Sequence, residues 1–193
     1  LGGWRADWEL RGARQALQAM GLPVAVIDPL SLRRKGCPTQ ILVLANCKNM
    51  DKATVLAIKE HIRRGGKVLA TYQTSYKQED NRSWSPNNFA LSTELGIRFS
   101  RWVGGTPECS RLIPTAVLPG KPTGVALLRH QAMLVDPLPG SRVLATWDKT
   151  DKTAKAAVVE TAAGIYCGED LLAPENAQSP AVLQLLAAYI SEL

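Results

Sequence analysis

Histidine is nearly missing from this 193-residue sequence, which holds only His61 and His130. Proton transfer near neutral pH and zinc binding both lean on imidazole, so a histidine-rich metal centre is excluded. Cysteine is sparse as well: Cys37, Cys47, Cys109 and Cys167 show no C-x-x-C or other metal-ligand spacing. Free, mostly buried thiols are the expectation, and a Cys37–Cys47 bridge is conceivable only in an oxidising compartment. No apolar run approaches the roughly 18 residues a membrane helix needs, so no membrane partner is expected. No basic segment followed by an apolar core opens the chain. Because it opens at Leu1 rather than methionine, it could be a processed form or an excised fragment. The compartment therefore stays open, leaning to the cytoplasm. There is also no basic stripe interleaved with stacking aromatics. The net charge of +6 is scattered, with Arg33, Arg34 and Lys35 in one connection and Arg63 and Arg64 at a helix end. A solvated surface explains it, and no nucleic-acid partner is expected.

What is present is ordinary for a soluble globular chain, with 46% hydrophobic and 21% charged residues. One α/β domain over 1–193 is expected, without repeats or a second domain. Residues 41–75 organise it. Ile41 to Ala45 is a short apolar run without alternation, as a parallel strand covered on both faces should be. Asp51 is a helix N-cap, and Met50 before it can staple onto Val55. Val55, Ile58 and Ile62 share one helical face, with His61 assigned to the polar side. Glu60 and Arg64 stand four apart, in the order that favours an ion pair. Gly65 and Gly66 stop the helix. Lys67 to Thr71 is the next strand, completing a βαβ unit with a right-handed crossover.

Around this unit, residues 8–20 form a helix with Leu10, Ala13, Leu17 and Met20 on one stripe. Trp4 and Trp8 fall in the loop and first turn before it. Pro23 to Ile27 is a strand ended by Asp28-Pro29. An α/β fold would normally place a strand before that first helix, so either one was removed or the sheet starts one strand short. Residues 76–88 form a long polar loop with Trp84 at its exposed tip. A short helix over 89–96 and a strand over 97–103 follow. Residues 111–167 contribute antiparallel strands, with DKTDKT as a hairpin tip between Trp147 and Ala154. Ile165 to Gly168 then returns to the main sheet. The last helix has Ser179 as N-cap and Pro180 at N1, with Val182, Leu186, Tyr189 and Ile190 inward.

The stretches LVLANCKNMD, R-R-G-G, K-V-L-A-T, the acidic-polar loop at Asp80-Asn81-Arg82, L-S-T-E-L-G-I, V-L-A-T-W and G-I-Y-C-G-E-D-L-L-A-P-E-N together form a pattern that covers most of the chain. It resembles the class I glutamine amidotransferase-like superfamily, most closely the trimerisation domain of bacterial β-galactosidases and related domains attached to glycoside hydrolases. The resemblance implies a flavodoxin-like three-layer α/β sandwich, with a mainly parallel sheet and an antiparallel β extension in the second half. It implies no cofactor and no metal. As partners it implies a catalytic glycoside hydrolase domain or identical subunits, and carbohydrate as a further ligand.

Amidotransferases carry Gly-x-Cys-x-Gly after the strand that corresponds to Lys67–Thr71, where the sharp turn exposes the thiol. Here that turn reads Ala70-Thr71-Tyr72-Gln73-Thr74-Ser75, and the His-x-Glu partner is unmatched. Glutaminase activity is therefore expected to be absent, leaving a domain that serves oligomerisation or completes a substrate cleft. The candidate ligand or partner contacts are Asn46, Lys48, Tyr72, Gln73 and Thr74 at the carboxyl ends of the strands, with Asp80 and Trp84 in the long loop. Two alternatives remain: a stand-alone cysteine hydrolase using Cys47 with His130, and a small-ligand or carbohydrate binding module. Ser75 as nucleophile and Glu79 with Asp80 as a carboxylate pair are weaker candidates. Glu169 and Asp170 read as structural caps.

Overall fold

The computed structural model describes residues 3–84, 88–104, 111–115, 118–120, 124–126, 131–147 and 155–193, with the side chains of 3–7 and 125–126 left aside. Helix α1 spans Gly3–Ala19 and ends at Gly21, whose φ of 72° suits glycine. It starts earlier than expected, so Trp4 and Trp8 lie within it. Ala13, Ala16 and Leu17 are its buried stripe, whereas Leu10 stays 44% exposed. The strand expected at Pro23–Ile27 is not formed. Residues 22–28 form neither helix nor strand, and no strand among the described residues pairs with them. Asp28-Pro29 does not simply end a strand. It opens a second helix, α2 (Pro29–Lys35), with Pro29 in the first turn and Asp28 Oδ1 accepting the Ser31 amide at 2.9 Å.

The organising unit forms as its residues dictate. Strand β1 is Ile41–Leu44, β2 is Asn49–Met50, helix α3 is Lys52–Arg63 and β3 is Lys67–Thr71. Asp51 caps α3, accepting the Thr54 amide at 2.6 Å, and Met50 and Val55 are buried in one cluster. Glu60 accepts from Arg64 at 2.7 Å and also from Arg63. His61 departs from expectation: it is buried, with Nε2 3.3 Å from the Lys67 carbonyl and its ring packed over Gly66. Gly66, lacking a Cβ, leaves the room that lets the imidazole fold inward.

The later strands are β4 (Lys77–Gln78), β5 (Ile97–Gly104), β6 (Arg111–Pro114), β7 (Val125–Ala126), β8 (Gln131–Pro137), β9 (Arg142–Trp147), β10 (Ala156–Thr161) and β11 (Gly164–Cys167). Strands β1, β3 and β11 are adjacent and parallel. From β11 the sheet continues antiparallel through β10 and β9 to β6 and β7, with β8 joined to β10 and β5 to β8. Strands β2 and β4 form a separate parallel pair. Helix α4 (Pro180–Glu192) buries Val182, Leu185, Leu186, Ala188 and Tyr189 in the same cluster as Ala13 and Ala16 of α1. Leu32 of α2 and Val55 and Ile58 of α3 line the other cluster. The result is an α/β sandwich of the flavodoxin-like kind with an antiparallel extension from its second half.

Three smaller expectations change. Residues 90–96 are consecutive turns rather than a helix. The 76–88 segment is partly folded, with β4 and a Lys77–Ser83 bridge, and Trp84 packs half-buried against the core instead of standing at an exposed tip. Ser179 sits at the start of α4 without a side-chain capping bond. The DKTDKT tip, His130 and Cys109 lie outside the described residues.

Candidate functional site

The carboxyl ends of β1, β3 and β11 converge on the bend after β3. Tyr72 there has φ 50° and Ser75 φ 61°, and Asn46 after β1 has φ 46°. Left-handed backbone is costly for a bulky residue such as tyrosine and persists only where its surroundings enforce it. Here β11 enforces it. The Tyr72 amide donates to the Cys167 carbonyl at 2.7 Å, and the buried Tyr166 hydroxyl donates to the Tyr72 carbonyl at 2.6 Å. The sharp turn is thus present, with a tyrosine at its apex.

Around the apex, the polar groups are largely spent on one another. The Gln73 amide, the next donor along the bend, points at Asn46 Oδ1 at 3.2 Å. A backbone N–H just after the nucleophile is a usual oxyanion donor, and here a side chain occupies it. Asn46 in turn donates: its backbone N–H goes to Thr71 Oγ1 at 3.0 Å and its Nδ2 to Glu9 of α1. Thr74 is fully buried; its Oγ1 accepts the Cys47 amide at 3.2 Å and lies 2.9 Å from the Leu44 carbonyl. Ser75, also fully buried, donates its amide to the Cys47 carbonyl and accepts the Leu91 amide on Oγ at 3.3 Å. No base faces that hydroxyl in these bonds.

Cys47 is half-buried as a residue, with its sulfur 3.8 Å from the Ala45 carbonyl. Burial, reinforced by the carboxylates of Glu9 and Asp170, pushes its thiol up to about 12. Such a thiol is a poor nucleophile at neutral pH. Glu169 and Asp170 are buried, and Asn176 Nδ2 donates to the Asp170 carbonyl at 3.0 Å while lying 3.4 Å from each Glu169 carboxylate oxygen. Among the described residues no three His, Cys, Asp or Glu side chains are grouped to hold a metal ion. Cys37, Cys47 and Cys167 are free thiols, so no Cys37–Cys47 bridge forms.

The candidate contacts therefore separate. Asn46, Tyr72, Gln73 and Thr74 come together at the bend, with Lys48 half-buried on the adjoining loop. Exposed Asp80 instead holds its own neighbour, accepting from Arg82 Nε at 2.5 Å. Glu79 beside it is exposed as well. Trp102 and Gln131 were not among those candidate contacts. The Trp102 indole donates to the Tyr72 hydroxyl at 2.7 Å, and that hydroxyl lies 3.3 Å from Gln131 Oε1. Trp102 is 50% exposed, while Trp147 is buried.

No protein-family model matches the sequence, and no curated protein matches it. Solved structures do. A β-galactosidase from Bacillus circulans sp. alkalophilus superposes with a TM-score of 0.77 at 12% identity, over 95% of this chain and 26% of that one. An α-L-fucosidase isoenzyme 2 from Paenibacillus thiaminolyticus gives 0.73 at 14% identity, over 96% and 29%. A ThuA-like protein from Bacteroides uniformis gives 0.63 at 14%, over 95% and 84%. The chain thus spans 26% and 29% of the two glycoside hydrolases but most of the ThuA-like protein. At such identities the likeness is one of fold alone, an α/β sandwich of the flavodoxin-like kind.

Proposed function

We propose that the chain is a non-catalytic domain working with a carbohydrate-active enzyme, holding identical subunits together or completing the substrate cleft of a catalytic glycoside hydrolase domain. The observation that carries this reading is the bend after β3. It keeps the sharp turn of a nucleophile site, yet holds Tyr72 at the apex and ties the Gln73 amide to Asn46. Acyl transfer needs a nucleophile with its base in reach and a free oxyanion donor, and the described residues of the bend offer neither. A cysteine hydrolase built on Cys47 is disfavoured because that thiol is pushed up to about 12. The fold shared with a β-galactosidase and a fucosidase supports the carbohydrate context. A carbohydrate-binding role for the same edge is favoured by one feature, the half-exposed and firmly oriented indole of Trp102, since sugar rings pack on indole faces.

The test has two arms. Ammonia release from glutamine should stay at background for the purified chain. Light scattering should detect either self-association or a complex with the glycoside hydrolase catalytic domain encoded nearest to it. Ammonia release above background, or a strict monomer that binds no such domain, would refute the reading.

A further inference from the structure

We infer that Trp102 and Gln131 form a shallow site for a neutral pyranoside, with one sugar ring stacked on the exposed part of the indole and one of its hydroxyls accepting from Gln131 Nε2. The inference rests on the carbohydrate context proposed above. It adds the residues that make contact and the part each plays.

Register puts the two side chains on one surface. In the antiparallel pair of β5 and β8, Trp102 stands opposite Met133 and Gly104 opposite Gln131. Successive strand residues point to opposite faces, so these four share a face, the one on which Met133 clusters with Tyr72. Arg101, the charge next to Trp102 in the chain, alternates to the other face with Val103, Leu134 and Ala132.

The indole is held at two points. Its N–H donates to the Tyr72 hydroxyl at 2.7 Å, and its benzo end rests against Gly104, where a Cβ would come within 2.3 Å of Cη2 and 2.5 Å of Cζ2. Only glycine leaves the ring where it is. Even so, Trp102 remains 50% exposed, and no other aromatic side chain among the described residues is exposed. A large apolar surface that is already ordered gives up little conformational entropy when a ligand covers it.

The hydrogen bonds that hold the ring also orient the amide. The Tyr72 hydroxyl accepts from the indole, so its own proton goes to Gln131 Oε1, 3.3 Å away. This fixes which end of the carboxamide faces Tyr72. The Nε2 group is left directed away from it and bonds no described residue, on a side chain that is itself exposed.

The ligand class follows from these groups. Indole, phenol and carboxamide are uncharged, which suits a neutral ligand. A pyranose ring carries a face of C–H bonds that packs on an indole, and a rim of hydroxyls that can accept from an amide N–H. A planar base gains most when sandwiched between two faces, and here there is one. A single sugar ring gripped from one side implies a Kd of about 1–10 mM.

The experiment titrates the purified chain with methyl β-D-galactopyranoside, whose C3, C4 and C5 hydrogens lie on one face, and follows the Trp102 indole N–H by NMR. A saturable shift in the millimolar range is expected. Trp102→Ala should abolish binding, read then by saturation transfer to the glycoside. Gln131→Glu keeps an acceptor for the Tyr72 hydroxyl but removes the donor, so it should weaken binding about threefold or more while leaving Tm unchanged. No saturable shift, undiminished binding in Trp102→Ala, or an unchanged Kd in Gln131→Glu would each overturn the inference. So would adenosine shifting the indole as strongly as the glycoside, since the surface would then take flat aromatic rings. Assembly is read separately by light scattering: a chain that associates but binds no glycoside loses this inference alone, whereas a strict monomer that binds the glycoside keeps the site and loses the assembly role.

Discussion

Trp102 and Tyr72 are joined by an indole-to-hydroxyl hydrogen bond of 2.7 Å, linking the edge strand β5 to the bend after β3. The bond holds a half-exposed ring in one orientation above a backbone that is itself under left-handed constraint. Tyr72→Phe should cost about 1 kcal/mol of stability, the usual net worth of one such bond. A double-mutant cycle with Trp102→Phe should show coupling of about 0.5–1 kcal/mol in urea unfolding. Strict additivity would mean that the two side chains are neighbours without an energetic link.

Placing a thiol at the apex should not create an amidotransferase. In Tyr72→Cys the new sulfur would sit on the sharp turn, but the Gln73 amide would still face Asn46 Oδ1. The described surroundings of the bend bring no histidine to it, since His61, within α3, points its Nε2 at the Lys67 carbonyl instead. Glutamine hydrolysis should stay at background, while losing the Trp102 bond lowers Tm. Measurable ammonia release would show that the bend retains a working oxyanion donor.

The capped helix and parallel strands of residues 41–71 were legible because each rests on local chemistry: Asp51 before an amphipathic run, Gly65 after it, and unbroken apolar strands. Pro23–Ile27 reads as a strand for equally sound local reasons, β-branched and apolar, but a strand exists only where a neighbour accepts its hydrogen bonds. Asp28-Pro29 carries two meanings, a strand stop and a helix start, and the second prevailed because Asp28 reaches the Ser31 amide. The orientation of Trp102 was not legible for a different reason. The register shifts between Phe99 and Arg101, so Phe99 packs against one core cluster and Val103 enters the other. Simple alternation along β5 cannot anticipate that reversal. The setting of Cys47 depends on Glu9 and Asp170, which only the folded chain brings near it.

Alkaline pH should destabilise the protein partly through Cys47. Its thiol rises from an ordinary 9.0 to about 12 in the folded state, and burial pushes Cys167 up as well. Between those two values the unfolded chain has lost the Cys47 proton and the native state still holds it. Protons bound in the unfolded state are then fewer, so stability falls as pH rises from about 9 toward 12. Below about 9 the contribution is fully present and flat. Cys47→Ala should make the alkaline limb shallower in urea midpoints measured across that window. At neutral pH, iodoacetamide should label Cys47 more slowly than a free thiol in a peptide; fast labelling would contradict the burial of its sulfur.

Gly12 sets two opposed effects against each other. It lies inside α1, where replacing glycine with alanine ordinarily adds about 1 kcal/mol of helix stability. A Cβ at this position, however, would come within 2.2 Å of the Leu172 carbonyl oxygen and 2.5 Å of the Pro174 nitrogen. Neither is the free end of a flexible side chain. The 171–173 segment is itself fully buried, so α1 would have to move off it, disturbing the packing of Ala13 and Ala16. Overpacking of this kind typically costs about 1–3 kcal/mol, and backbone neighbours put it at the upper end. Gly12→Ala should therefore lower stability by about 1–2 kcal/mol net, although the same change raises the helicity of an isolated 3–19 peptide. Opposite signs in the two measurements would locate the cost in the contact between α1 and the 171–174 segment, whereas stabilisation in both would mean that α1 stands further from that segment than the structure places it.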